Sequence, residues 1–268
     1  MAKISNYEDD GDTVEFPYNP QEYQSPLQQH KERITRPYRT IHYSIANRYL
    51  KPRSISINGH LSGENKYTIY NKIARRITDG KLKRFYFEGE KFIIFHTGNI
   101  DKTKSAPRPN FIDYVAVINC PVPIYQGGTL KEAEYDGSWS DSPTNEGDFY
   151  NIIEEIEIQT TGGSSGDTLT IEDNNNNGLE LSLRESIGSG TILKIRAIDL
   201  ETLGGGIITT RSYDARKPNG EIIPTTRMAN KETRELIIDQ GESIDTFSIS
   251  GSLGFSKIIF RFRDGYIE

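Results

Sequence analysis

The residues best suited to chemistry are Asp173-Asn174-Asn175-Asn176-Asn177-Gly178. They match the opening of a calcium-binding EF-loop, with oxygen ligands at loop positions one, three and five and glycine at six. The match stops there. Position twelve, which needs a bidentate Glu, is Arg184, with Glu185 one place late, and the flanking segments around Leu169 and Leu181 read as strands where helices are required. A hairpin turn whose Asn and Gly residues tolerate positive φ accounts for the run. His30, His42, His60 and His96 are isolated, with no His-x-x-x-His or Cys-x-x-Cys spacing to hold a metal. Gly204-Gly205-Gly206 lacks the Gly-x-Gly-x-x-Gly spacing, and no Gly-Lys-Ser/Thr follows any glycine loop, so no phosphate cradle is present. Cys120, immediately before Pro121, has no base supplied by the sequence and reads as a buried thiol at a strand end. Glu154 and Glu155 are adjacent, and neighbours on a strand point to opposite faces, so they cannot share a substrate. Trp139 and a Tyr-rich surface can stack on sugars, but tyrosines on strands are ordinary sheet residues. These residues supply no catalytic set, no metal site and no cofactor site, and the chain reads as not an enzyme.

The elements that would position such residues are mostly strands. Residues 1–33 are polar and punctuated by proline, with no apolar period, and read as a flexible arm that a surrounding assembly would pin. From Arg39 the pattern turns β: Ile41, Tyr43 and Ile45 alternate with His42 and Ser44, and Ile55 and Ile57 follow. Asn58-Gly59-His60 and Ser62-Gly63 read as turns. One helix is predicted over about Glu64–Asp79, where Ile69, Ile73 and Ile77 form a stripe with Tyr70 and Ala74, Ser62 lies in the N-cap region and Gly80 ends it. Leu82–Glu88 and Lys91–Thr97 read as a hairpin around Gly89, and Phe111–Asn119 as a strand after a Lys/Pro-rich loop. Beyond a glycine-rich boundary at 126–149, short strands separated by Gly/Asn/Asp turns follow without a comparable helix. They are placed at Ile152–Gln159, Thr168–Glu172, Gly178–Leu183, Thr191–Ile198, Ile207–Arg211, Arg234–Ile238, Asp245–Ser250 and Lys257–Arg263. The fold class is therefore mainly β: an α+β first half and a β-sandwich of jelly-roll or lectin-like type.

Composition narrows the class further. The longest apolar runs, Phe92–Phe95 and Val115–Ile118, are four residues long, where a membrane helix needs about 20. The N-terminal residues contain no apolar segment of the secretory type, and the single cysteine cannot cross-link the fold. Only 34% of the 268 residues are hydrophobic, which suggests thin β layers that bury further surface against partners. The formal charge of −6 is unevenly spread: residues 1–126 carry 19 Lys+Arg against 13 Asp+Glu, whereas residues 127–268 carry 13 against 25. Residues 23–126 alone hold 18 against 7. No run of three or more consecutive basic residues and no basic stripe with interleaved aromatics is present, so electrostatic pairing between the halves, or between copies, is favoured over nucleic-acid binding.

The order of the segments carries more information than any one of them. A strand bearing Arg36 and Arg39 is followed by a strand ending in a glycine turn (Ser54–Gly63), one helix, a hairpin, and a strand closing on Cys120-Pro121-Val122-Pro123-Ile124-Tyr125. Thr144-Asn145-Glu146-Gly147 then opens an all-β half, in which Gly190–Arg196 and Gly241-Glu242-Ser243-Ile244 precede a last strand ending Arg261-Phe262-Arg263-Asp264-Gly265-Tyr266. Over about residues 35–268 this resembles the distal tail protein of long-tailed (siphovirus-type) phages; the acidic arm Met1–Gln29 stands outside the pattern. With the polar arm at 1–34 set apart, the resemblance implies a tail-tube-like α+β ring domain at 35–126, a linker at 127–149 and a galectin-like β-sandwich at 150–268. It implies a virion structural protein, a homo-hexamer ringing the tail tip between the tail-tube protein and the tail-tip hub (baseplate), near the tape-measure protein, often docking receptor-binding proteins. DNA would pass through the lumen without specific binding, and no membrane is involved. Because a Lys/Arg-lined channel would retard DNA, Lys102, Lys104 and Arg108 on the long loop are expected at inter-subunit contacts. The competing readings are a carbohydrate-binding lectin-like protein and a tail-tube or tube-terminator protein.

Overall fold

The computed structural model describes residues 2–7, 13–18, 20–24, 29–30, 43–45, 48–50, 53–87, 89–103, 110–175, 178–203, 206–221, 228–231 and 236–267. The first half packs two sheets and the helix Lys66–Thr78 around one core. One sheet runs Thr97–Lys102, Phe111–Cys120, Arg53–Ser62, Gln21–Gln24, all antiparallel neighbours. The other runs Val14–Glu15, Lys3–Asn6, Lys83–Tyr86, Phe92–Phe95, Tyr125–Gln126, Gly265–Tyr266, so its last strand comes from the far end of the chain. A separate ribbon joins Gln29–His30, Arg48–Leu50 and Tyr43–Ile45. The helix buries Tyr70, Ile73 and Ile77 with Ile69 and Ala74 beside them, as the stripe predicts, and Gly80 at φ 72° stands just past its C-cap. Asn65, not Ser62, precedes the first turn, and its side chain makes no capping bond.

The second half is a sandwich. One sheet orders Lys131–Tyr135, Gly254–Phe262, Asn151–Gly162, Ile192–Leu203 and Gly206–Arg216, with Ile237–Ile238 paired to the start of Asn151–Gly162. The facing sheet orders Met228–Lys231, Gly178–Leu183, Thr168–Glu172 and Ser248–Gly251. Leu179, Leu181 and Leu183 alternate with polar neighbours and enter the core, as a half-buried strand requires. The short predicted strand at Asp245–Ser250 divides into a 3-10 turn, Ile244–Thr246, and the strand Ser248–Gly251.

Three further features depart from the sequence reading. Among the described residues of the segment read as an arm, Lys3–Asn6 pairs with Lys83–Tyr86, and Ala2, Ile4 and Phe16 are fully buried in the first core. Two- to four-residue strands added to a sheet edge are too short to show a period. The segment 127–149 contains the strand Lys131–Tyr135, whose Ala133 enters the sandwich core. Asn58-Gly59-His60 lies inside the strand Arg53–Ser62 and makes no turn; a Cβ at Gly59 would meet the Tyr114 hydroxyl oxygen at 2.3 Å, so the glycine serves close packing of that ring.

Between the halves lies a third apolar cluster. Phe92 and Ile94 face it from one side of their strand, while Ile93 and Phe95 face the first core. A strand covered on both faces must be apolar at every position, which is why this run does not alternate. Tyr86, Val122 and Ile124 from the first half and Tyr150, Ile152 and Ile237 from the sandwich complete the cluster.

Candidate functional site

Four segments that carry the resemblance, around Val122–Tyr125, Asn145–Gly147, Gly241-Glu242 and Arg263–Tyr266, meet at the junction of the two halves. Asn145 is completely buried and uses its whole amide. It donates to the carbonyls of Phe149 (2.7 Å) and Ile238 (3.2 Å), and its Oδ1 accepts from the amides of Gly147 (3.1 Å) and Gly265 (3.2 Å). The Gly241-Glu242 turn closes on the same residue, with the Asn145 amide donating to the Glu242 carbonyl and the Gly241 amide to that of Asn145. Asp264 accepts from Lys131 Nζ (2.8 Å) and from the Glu146 amide (2.8 Å), while Lys131 also donates to the Thr144 carbonyl (2.7 Å). Gly147 has no space for a side chain, since a Cβ there would lie 1.9 Å from the Gly265 carbonyl oxygen.

Glu154 faces the same junction. A register shift between Ile153 and Glu155 turns its carboxylate inward, toward Arg263 Nε at 3.3 Å. Burial pushes the Glu154 carboxyl up, against the pull of Arg263 and Arg84. Burial, with Glu154 adding to it, also raises the Tyr7 phenol to about 12. The Arg84 and Arg263 guanidiniums both lie near the Phe92 ring, at 5.0 and 5.4 Å from its centroid.

Glu155, one residue on, belongs to a different surface. On the outer face of the larger sandwich sheet, acidic and basic strands alternate. Arg261 reaches Glu132 (2.8 Å), Glu155 (2.6 Å) and Glu157 (3.2 Å), Lys194 reaches Glu157 (2.9 Å), Arg196 reaches Glu155 (2.9 Å) and Lys257 reaches Glu134 (2.8 Å). Burial alone would raise the Glu157 carboxyl, but hydrogen bonds from Lys194, Gln159 and Arg261 outweigh it and hold it at about 2. Glu155 is lowered in the same way by Arg196, Lys194 and Arg261.

The helix presents the opposite case. It contains Lys66, Lys72, Arg75 and Arg76 and no acidic residue. Lys102 extends this basic surface, with its ammonium 4.7 Å from the Tyr70 ring and 5.3 Å from that of Tyr67, a tyrosine that is 56% exposed. Of the expected contact residues, the structure places Lys102 there; Lys104 and Arg108 lie outside the described residues. So do Arg36, Arg39, Ile41, His42, Asn176, Asn177, Gly204, Gly205 and Arg234.

Asp173, Cys120 and Trp139 have structural employment. Asp173 accepts from the Asn175 amide (2.8 Å) with one oxygen and from the Ile237 amide (2.8 Å) with the other. No group of acids, histidines or cysteines among the described residues is arranged to hold a metal. Cys120 is buried at the end of its strand. Trp139 packs on Phe260 (5.3 Å) and Tyr135 (5.1 Å) at the sandwich edge. No helix among the described residues is long and apolar enough to cross a membrane.

Known structures share this architecture. The Dit protein (gp 19.1) of phage SPP1, described as a paradigm of the hub adsorption apparatus in phages that infect Gram-positive hosts, matches 98% of this chain and 99% of its own, with a TM-score of 0.54 at 12% identity. A chain of the phage P2 baseplate in its activated conformation matches 98% of this chain and 97% of its own, with TM-scores of 0.53 in a calcium form and 0.54 in a strontium form, both at 11% identity. No family model matches the sequence, and no curated protein matches it. The chain shares the fold of these phage proteins over nearly its whole length.

Proposed function

We propose that the chain is a non-enzymatic structural subunit of a phage tail tip. Six copies form a ring in the virion, joining the tail tube to the tail-tip hub, with receptor-binding proteins docked on it. The observation that carries this reading is the end-to-end match, through both halves and the junction between them, with a hub adsorption protein and a baseplate chain. In this reading residues 35–126 build the ring, 150–268 form the outward sandwich, and the arm and linker segments lock the two together. The basic face around the helix and Lys102 meets an acidic surface of a neighbouring copy, and Lys104 and Arg108 belong to the same contact. Head-to-tail contacts that close by rotation need complementary patches that are not identical, which a basic face and an acid-rich half supply.

The test is assembly of the purified full chain, followed by electron microscopy. Six-fold rings at low salt are the expected result; a chain that stays monomeric at high concentration and low salt overturns the reading. Copy number separates this role from a tail-tube subunit, which stacks in many rings where a tip adaptor appears once. A gene position just after the tape-measure gene is also expected.

A further inference from the structure

A groove of about 520 Å³ opens on the first half, lined by residues that neither the junction nor the helix face uses. Its volume falls within the roughly 300–1,000 Å³ of small-molecule sites. On its wall the Tyr18 and His60 rings stack with centroids 5.0 Å apart and planes 20° from parallel. Phe111 stands edge-on to His60 at 6.4 Å. Tyr18 and Phe111 are 51% and 45% exposed, although large aromatic rings are usually buried. Beside the rings the groove carries the side chains of Asn58, Thr103 and Asp113. The Asn58 Oδ1 atom is buried yet has no hydrogen-bond partner, and the Tyr18 hydroxyl lies 3.3 Å from Ser62 Oγ. A buried acceptor without a donor favours a ligand that brings one.

We infer that this groove binds a neutral pyranose sugar, with its C–H face on the Tyr18 ring and a hydroxyl donating to Asn58 Oδ1. The chemistry fits a sugar better than a peptide or an anion. A flat exposed ring takes the apolar face of a pyranose, the neighbouring amide, hydroxyl and carboxylate groups match a dense set of hydroxyls, and the described lining residues include an acid and no Lys or Arg. The site lies in the first half, away from the sandwich on which a lectin-like reading would place it, and it does not depend on the ring.

The test is saturation-transfer NMR on the full chain with the methyl glycosides of glucose, galactose, N-acetylglucosamine and rhamnose. At least one is expected to show saturable transfer. Tyr18→Ala is expected to weaken its affinity at least tenfold, and Tyr18→Phe, which keeps the stacking face, to stay within about threefold. Tyr18 is exposed, so an unchanged melting temperature should accompany both variants. Absence of transfer with all four glycosides overturns the inference. So does binding that survives Tyr18→Ala, which would move the sugar to the sandwich. If wild-type chain binds no glycoside and Tyr18→Ala blocks ring formation, the face is a contact between copies and the sugar site is refuted while the ring reading stands.

Discussion

The junction between the halves and the basic face of the helix are opposites. At the junction, Asn145 is fully buried with both amide hydrogens and its oxygen engaged, and Gly147 lies against Gly265 with no room for a methyl group. On the helix, cations stand on an exposed surface without an acid in the same element, and Tyr67 remains 56% exposed beside Lys102. The outer sandwich face sharpens the contrast, because its carboxylates are matched across strands by Arg261, Lys194, Arg196 and Lys257. Total charge therefore misleads. The acid-rich half neutralises much of its own sheet, whereas the helix of the first half carries four basic residues and no acid. In the proposed reading, an interior that holds two halves as one and a basic outer face suit a connector that meets a neighbour.

Variants at the two regions should separate folding from assembly. The largest effect is expected at Asn145→Ala, which strands four buried backbone groups; at about 1–3 kcal/mol for each unsatisfied group, partly relieved by water, a loss of about 4 kcal/mol is expected in urea unfolding. Gly147→Ala should cost about 3 kcal/mol through overpacking against the Gly265 carbonyl, seen as a lower thermal midpoint.

Next comes acid. Glu157 is held at about 2 when folded, below the ordinary carboxylate value of about 4.3. The stability it contributes is fully present above about pH 4.5 and is lost as pH falls toward 2. Glu157→Gln should flatten that limb in pH-dependent unfolding. Glu154, raised by burial, runs the other way: the folded state gains as this group is protonated, so Glu154→Gln should leave stability at neutral pH unchanged or higher. The smallest effect on stability belongs to the helix face. The double variant Arg75→Glu, Lys102→Glu should stay within about 0.5 kcal/mol of wild type in unfolding and yet weaken self-association at least tenfold by sedimentation. A stability loss comparable to that of Asn145→Ala would erase the distinction between the regions.

Much of the fold is legible in the sequence where burial repeats at short range. The Leu179–Leu183 alternation, the Ile69–Ile73–Ile77 stripe and the hairpin around Gly89, whose φ is 69°, are each local signals. Lys131–Tyr135 was hidden because its outward Glu132 and Glu134 answer to Arg261 and Lys257, leaving only Ala133 as an inward signal. Ile4 and Phe16 gave no pattern because their strands borrow an edge from residues far along the chain. Gly59 carries turn chemistry by type, but its reason is the Tyr114 ring on the next strand. The junction was visible only as an order of segments. Nothing local tells that Asn145 and Gly265, 120 residues apart, share a hydrogen bond. Lys102 reads as a loop cation but closes the strand Thr97–Lys102, paired with Tyr114, and its tyrosine neighbours come from the helix, beyond the reach of local reading.

The central claim is that the open helix face closes on another copy of this chain. Single-particle electron microscopy of the purified protein at low salt, beside the Arg75→Glu, Lys102→Glu variant, tests it most directly. The account predicts closed six-fold rings for wild type, with the helix at the subunit contact, and dispersed single copies for the variant. Rings that form equally well from both, or wild-type protein that remains monomeric at high concentration, would contradict it.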